Sequence, residues 1–242
     1  EYSKYSWLFP LKRKSEVFST FVMFKAYVEN LLGNKIKIFR TDSGGEFTGS
    51  AFSSFLLQHG ISHQFSCPHT PEQNGCVERK HRHLTETART LLVASKVPHQ
   101  FWVESFSTAL YLINRMPISG SSQSPWELLF NKPPDYSKLK VFGCCCYPWL
   151  KPYMQSKLDG KSKPCVFLGY SLQHKGYRCL DVSSDRVYIS RHVLFNEDHF
   201  PFHDSSFLHH GSSQSSSFVP LSPSPEFSLP FPQSSLPATT SS

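Results

Sequence analysis

The sequence has no run approaching the ~20 consecutive apolar residues that a bilayer-spanning helix requires, so it gives no reason to expect a membrane. It has no CxxC pair, and its seven cysteines are an odd number with three adjacent at Cys144, Cys145 and Cys146. That pattern argues against a disulfide framework or a structural zinc site, and favours a reducing compartment. Acidic residues are scarce: 18 Asp and Glu stand against 25 Lys and Arg, for a net charge of +7 and a pI near 9.0. The imbalance favours a polyanionic partner. An initiator methionine, a charged n-region and an apolar h-region are also missing, so the expectation is an internal piece of a longer protein. What is present, 242 residues with 39% hydrophobic and 14% aromatic content, suffices for one good core and a small second module.

Alternation in KYSWLFPLKRK, with Tyr5, Trp7 and Phe9 on one side, predicts a half-buried strand ending near Pro10. Ser15 is placed to cap a helix with the stripe Val17, Phe21, Phe24, Val28 and Leu31, closed by Gly33. Lys35 to Phe39 reads as a short strand with Ile36 and Ile38 inward. A helix over 51–58 stopped by Gly60 and a strand over 61–66 follow. A long helix is expected from Cys76 to Lys96, its stripe running through Val77, Leu84, Ala88, Leu91 and Ser95 and widened by Leu92. Pro98 starts the next helix, with Trp102, Phe106, Ala109, Leu110 and Ile113 inward, and a short helix spans Trp126 to Phe130. Strands alternating with helices indicate an α/β domain. From Leu139 to Phe202 the runs become short and β-rich (KVFGCCCYPWL, CVFLGYS, YRCLDV, RVYISRHVLF), which predicts a small barrel-like β module. Beyond His203 the Ser, Pro and Phe composition reads as a disordered linker.

Two carboxylates stand out. KIKIF delivers Asp42 into a Gly-Gly turn, at the strand end where α/β sheets bind ligands. Asp-Ser-Gly-Gly is equally an ordinary Asx-turn. Glu78 is placed in the first turn of the basic helix after PEQNG, where the dipole favours an acid anyway. Thirty-five residues lie between the two. On the helix wheel Glu78, Arg82, Thr85 and Arg89 share one face, and from Val77 to Lys96 five cations (Arg79, Lys80, Arg82, Arg89, Lys96) meet two anions. Such a face is either plainly solvated or turned to nucleic-acid phosphates while one acid reaches a metal. In-line displacement at phosphorus needs a few acids converging from different elements on hard cations such as Mg²⁺. His81 and His83, two apart, lie on different faces, which suits phosphate contact or solvation better than metal. No structural-zinc spacing fits Cys67, Cys76, His63 and His69. The lysines between Lys132 and Lys163, with Tyr147, Trp149 and Tyr153, form either a DNA-contacting surface or a solvated loop.

RTDSGGEF (40–47), HTPEQNGCVERKHRHL (69–84), FWVESFSTALYLINRMP (101–117), SPWELLFNKPP (124–134) and the segment from KVFGCCCYPWL to YISRHVLFNE together resemble the integrase of copia-type LTR retrotransposons. The likeness runs from residue 1 to about 202. It implies an α/β fold: an RNase H-like integrase core over 1–135, an SH3-like β module over 139–202, and a disordered Ser/Pro-rich linker over 203–242. It also implies an Asp-Asp-Glu triad in which Asp42 takes the second place and Glu78 the third. Mg²⁺ would be held by these acids as two ions in the intact parent, with Mn²⁺ able to substitute. Asn74 and Gly75 match the loop leading into the catalytic helix, and Asn74, Arg79, Lys80, Arg82 and Arg89 would contact DNA. The implied substrates are double-stranded element ends and target DNA, and the implied steps are 3′-end processing followed by strand transfer. Self-association, and location in a cytoplasmic particle and the nucleus, are implied as well.

In the family the first aspartate lies on a strand upstream of the stretch matching KYSWLFPL. The expectation is therefore that this chain lacks that acid, its strand and most of the next, and cannot run two-metal catalysis alone. Exposed sheet edges would then make it unstable or aggregation-prone. A non-enzymatic DNA-binding remnant, degenerate or co-opted, remains the alternative. A cut-and-paste transposase is a third reading, disfavoured by the KVFG and FLGYS segments.

Overall fold

The computed structural model describes residues 2–42, 44–66, 71–118, 120–153, 160–171 and 173–204, and not the side chains of residues 71–74 and 152. The tail expected to be a linker lies outside them from residue 205 onwards. Two compact units are present, one over 6–86 and one comprising 1–5 with 87–242.

In the unit over 6–86, helix α1 (Val17–Leu32) follows a 3-10 turn at Lys14–Glu16. It ends where expected, on Gly33 in the left-handed region at φ 64°, a conformation open to glycine at little cost. Strand β1 (Ile38–Thr41) pairs in parallel with β2 (Ser62–Phe65), Ile38 opposite Ser62 and Thr41 opposite Phe65. Between them run α2 (Gly45–Thr48) and α3 (Ser50–Gln58). Phe21, Phe52, Leu56 and Ile61 form the core, with Phe39, Phe47 and Phe55 packed against it. Each fully buried Phe contributes roughly 1.5–3 kcal/mol.

Two expectations for this unit are corrected. Residues 5–10 form no regular strand; Trp7 and Phe9 nevertheless both set their rings edge-on against Phe24, as their alternation implies. Secondly, Ile38 faces outward at 56% exposure while Ile36 and Phe39 turn inward. The ladder starts at Ile38, so residue 36 lies before the pleat and its parity does not carry into it.

Helix α4 (Pro71–Ser95) begins five residues earlier than the periodicity predicts and runs through both units. Proline at the first helical position fits the start, but Asn74 and Gly75, expected in a loop, are absorbed into the helix.

In the second unit, α5 (Trp102–Ile113) buries Ser105, Thr108, Ala109, Leu110 and Ile113, while Trp102, expected inward, is half exposed. Helix α6 (Pro125–Phe130) opens on a capping box in which Ser124 and Glu127 bond each other's backbone N–H. Strands β3 (Cys145–Pro148), β4 (Cys165–Tyr170), β5 (Tyr177–Asp181), β6 (Arg186–Ser190) and β7 (Val193–Asn196) form an antiparallel sheet in the order β6-β5-β4-β3-β7. Cys144, Cys145 and Cys146 are fully buried. Cys144 and Cys146 share a core with Phe167 and Cys179, as small residues alternating along a covered strand should. Burial pushes the Cys144 and Cys165 thiols up to about 12.

Asp181 ends β5 with its side chain almost completely enclosed. It accepts bonds from Ser183 N at 3.1 Å and Ser183 Oγ at 2.6 Å, and from Ser184 Oγ and Lys163 Nζ. Desolvation alone would raise its pKa, but the Lys163 and serine bonds outweigh it and hold the carboxyl below the usual range. A depressed folded-state pKa stabilises the fold above the unfolded value of about 4 and is lost as pH falls below it. Urea midpoints should therefore drop from pH 5 towards pH 3, and Asp181→Asn should flatten that drop while lowering the midpoint at pH 7.

Candidate active site

The two predicted acids belong to the same unit and come from different elements. Asp42 follows directly on β1, and both flanks of its turn are anchored. On one side Thr41 is buried and its Oγ1 lies 2.9 Å from His63 Nε2. The His63 ring sits 4.0 Å from Phe65 and 5.6 Å from Phe39, and burial lowers its pKa. The imidazole is thus a neutral partner at neutral pH. On the other side Phe47 meets Phe39 and Phe52 in the aromatic core, and its N–H donates to Gly44 O at 3.0 Å. Between these anchors Asp42 is exposed, with Oδ1 accepting the Gly44 N–H at 3.2 Å. The Asx-turn is therefore formed, and it leaves Oδ2 and the remaining lone pairs of Oδ1 directed elsewhere.

Glu78 is exposed on α4. Because the helix starts at Pro71, it stands at the eighth helical position and not in the first turn. The dipole argument for an acid there falls away, since that effect fades within one turn. Arg79, Arg82 and Arg89 are exposed and Lys80 is half-buried. Val77, expected in the apolar stripe, is 70% exposed, whereas Ala88, Leu92 and Ser95 are buried. The stripe therefore starts later along the helix than its sequence pattern suggests. The Asn74 side chain lies outside the described residues, as do Cys67 and His69 of the rejected zinc set.

One acid escaped the sequence reading. Glu46, on α2, is largely enclosed and pairs with Lys14 Nζ at 3.3 Å. Its own backbone N–H, then Lys14, hold its pKa below the ordinary range. Asp42 Oδ1 lies 3.0 Å, and Glu46 Oε2 2.9 Å, from the point where a Cβ on Gly44 would stand. The signal was available in the spacing of Asp42 and Glu46 around two glycines. Among the described residues, no group of three His, Cys, Asp or Glu side chains gathers as a metal site. The carboxylate oxygens of Asp42, Glu46 and Glu78 do match the hard donors a Mg²⁺ ion prefers.

The molecule thus pairs an α/β unit, with an acid at the end of a parallel strand and a cationic helix, with a small antiparallel β module. The profile of the retroviral polymerase SH3-like domain matches residues 144–207. The chain is 52% identical over 207 residues to the retrovirus-related Pol polyprotein from transposon RE2 of Arabidopsis thaliana, covering 85% of the chain and 14% of that protein. It is 41% identical over 196 residues to the corresponding polyprotein from transposon TNT 1-94 of Nicotiana tabacum, covering 81% and 15%. Among solved structures, the HTLV-2 integrase catalytic core in complex with magnesium (trimeric form) overlaps 49% of the chain and 72% of its own, at 21% identity and a TM-score of 0.37. The chain belongs to the retrovirus-related Pol polyproteins of transposons, in keeping with the copia-type resemblance, and spans about one seventh of the length of these relatives.

Proposed function

We propose that this chain is the integrase segment of its Pol polyprotein. Residues 1–135 would be the catalytic core, 139–202 the SH3-like module and 203–242 a linker. The carrying observation is the pinned turn that presents Asp42, in one unit with Glu78, Arg79 and Arg82 of α4. The parent would process the 3′ ends of element DNA and join them to target DNA, acting as a multimer in a cytoplasmic particle and the nucleus. Asp42 and Glu78 would hold divalent cations, Mg²⁺ with Mn²⁺ as a substitute. Such ions activate an attacking oxygen and stabilise a leaving one. Asp42 contributes an oxygen whose direction the Asx-turn fixes, and Glu78 contributes one from a different element. Arg79, Lys80, Arg82 and Arg89, with Asn74, would bind phosphates and set the register of the duplex.

Phosphate binding by α4 has a direct test. Arg82→Ala with Arg89→Ala should lower the slope of log K against log salt by roughly 2, at about 0.9 per lost phosphate contact, for duplexes of any sequence. Asp42→Asn should leave that slope unchanged. An unchanged slope in the arginine double variant would remove α4 from the interface.

The cations of α4, which suit phosphate binding with or without a metal, support a second reading, a DNA-binding remnant without catalysis. Strand-transfer assays on Asp42 and Glu78 variants separate the two.

A further inference from the structure

Gly44 is not required by its backbone. Its φ of −58° and ψ of 140° suit any residue, so what a side chain here would alter is the space beside it. A Cβ at this position would stand 2.9 Å from Glu46 Oε2 and 3.0 Å from both Asp42 Oδ1 and Glu46 Cδ. The two carboxylates close on the volume that a methyl group would take. Like charges so placed repel, and Lys14 Nζ, 3.3 Å from Glu46 Oε1, supplies the compensating charge. Lys14 reaches this position from the 3-10 turn that starts α1, and its own side chain is largely exposed. The ion pair therefore spans two elements and ties α2 to the segment preceding α1.

We infer that Glu46, anchored by Lys14 and admitted by the missing Cβ of Gly44, is a positioning residue that sets how the Asp42 carboxylate is presented to a divalent cation. This rests on the metal-binding reading of Asp42 given above. Gly44 N–H holds Asp42 Oδ1 at 3.2 Å from one side, and Glu46 stands across the same gap. Displacing either wall turns the Asp42 carboxylate while β1 and its ladder to β2 stay in place. Glu46 acts through Asp42 and need not touch the cation.

The test uses Mn²⁺ alone as the probe on the complete 242-residue chain. The readout is the Mn²⁺ concentration that half-broadens the Gly44 and Gly45 amide resonances, with thermal unfolding followed in parallel. The wild-type chain should show saturable broadening, and Asp42→Asn should abolish it. Gly44→Ala, whose backbone fits without strain, should raise the half-broadening concentration about tenfold with no loss of thermal stability. Glu46→Gln should raise it severalfold. Lys14→Met carries the sign that decides: removing a cation would by charge alone strengthen Mn²⁺ binding, whereas loss of the anchor weakens it, and Lys14→Arg should restore it. Absence of saturable broadening in the wild type, or its persistence in Asp42→Asn, overturns the metal reading and the inference with it. Broadening that depends on Asp42 but is unchanged in Gly44→Ala, or tighter in Lys14→Met, leaves the metal reading standing and overturns the inference alone.

Discussion

Asp42→Asn and Glu78→Gln, each placed in a Pol segment that contains this chain and joins DNA, are expected to abolish strand transfer. The fall should be at least ~1,000-fold, equivalent to about 4 kcal/mol of transition-state stabilisation. Both substitutions keep side-chain size and remove the anionic oxygen that a hard cation requires. Asparagine retains the Oδ1 that accepts the Gly44 N–H, so the turn should persist. Both positions are exposed, and neither change should alter the unfolding free energy by more than about 0.5 kcal/mol. Duplex binding, carried by the α4 arginines, should survive. Joining by either variant at the wild-type rate would refute the integrase assignment of these two acids, and loss of activity together with DNA binding would point to misfolding.

A large loss of stability is expected from Gly169→Ala. Gly169 sits in β4 at φ 109°, where a side chain is strained whatever room it has. There is no room either: a Cβ would stand 2.1 Å from Thr108 Oγ1, because α5 lies directly on the strand at this point. The two faults together should cost at least ~3 kcal/mol, a large share of the roughly 5–15 kcal/mol by which domains are usually stable. A double-mutant cycle divides them. Thr108 Oγ1 is buried with no hydrogen-bond partner among the described residues, so Thr108→Ala alone should cost little, within about 1 kcal/mol. In that background the nearest atoms are the Thr108 Cβ at 3.5 Å and Glu104 O at 3.7 Å, both at ordinary contact distance. Gly169→Ala should then lose only the backbone component, and a coupling energy near zero would contradict the packing described.

What could be read from the sequence followed a physical division. Elements whose apolar period is complete were legible, namely α1 with its closing Gly33, the helix carrying Ala109 and Ile113, and the β runs of the module with their covered cysteines. Errors arose where one residue's placement depends on a neighbour's first hydrogen bond. Ile38 points outward because the ladder starts there. Glu78 moved from the first turn to the eighth helical position because Pro71, and not Cys76, begins the helix. The strand expected at residues 5–10 shows the same limit, since alternation can place Trp7 and Phe9 on one side but cannot create a ladder. In the site, Asp42 was visible as an acid between a strand and glycines. Glu46 was marked only by its spacing from Asp42 around two glycines, and the space beside Gly44 on which its role depends has no signature in residue type.

The sheet order also bears on how the β module is made. Its last strand, β7, lies beside its first, β3, with Asn196 opposite Cys145. The point where the chain enters the module and the point where it leaves are thus neighbours, as in units that tolerate insertion into other chains. During synthesis β3 can meet β4 early but must wait for its second neighbour until about fifty more residues have emerged, a loop whose closure carries its own entropy. A ribosome stalled before Val193 would hold a sheet with one flank of β3 still open. In a long polyprotein, completion of this module is therefore coupled to translation past that point.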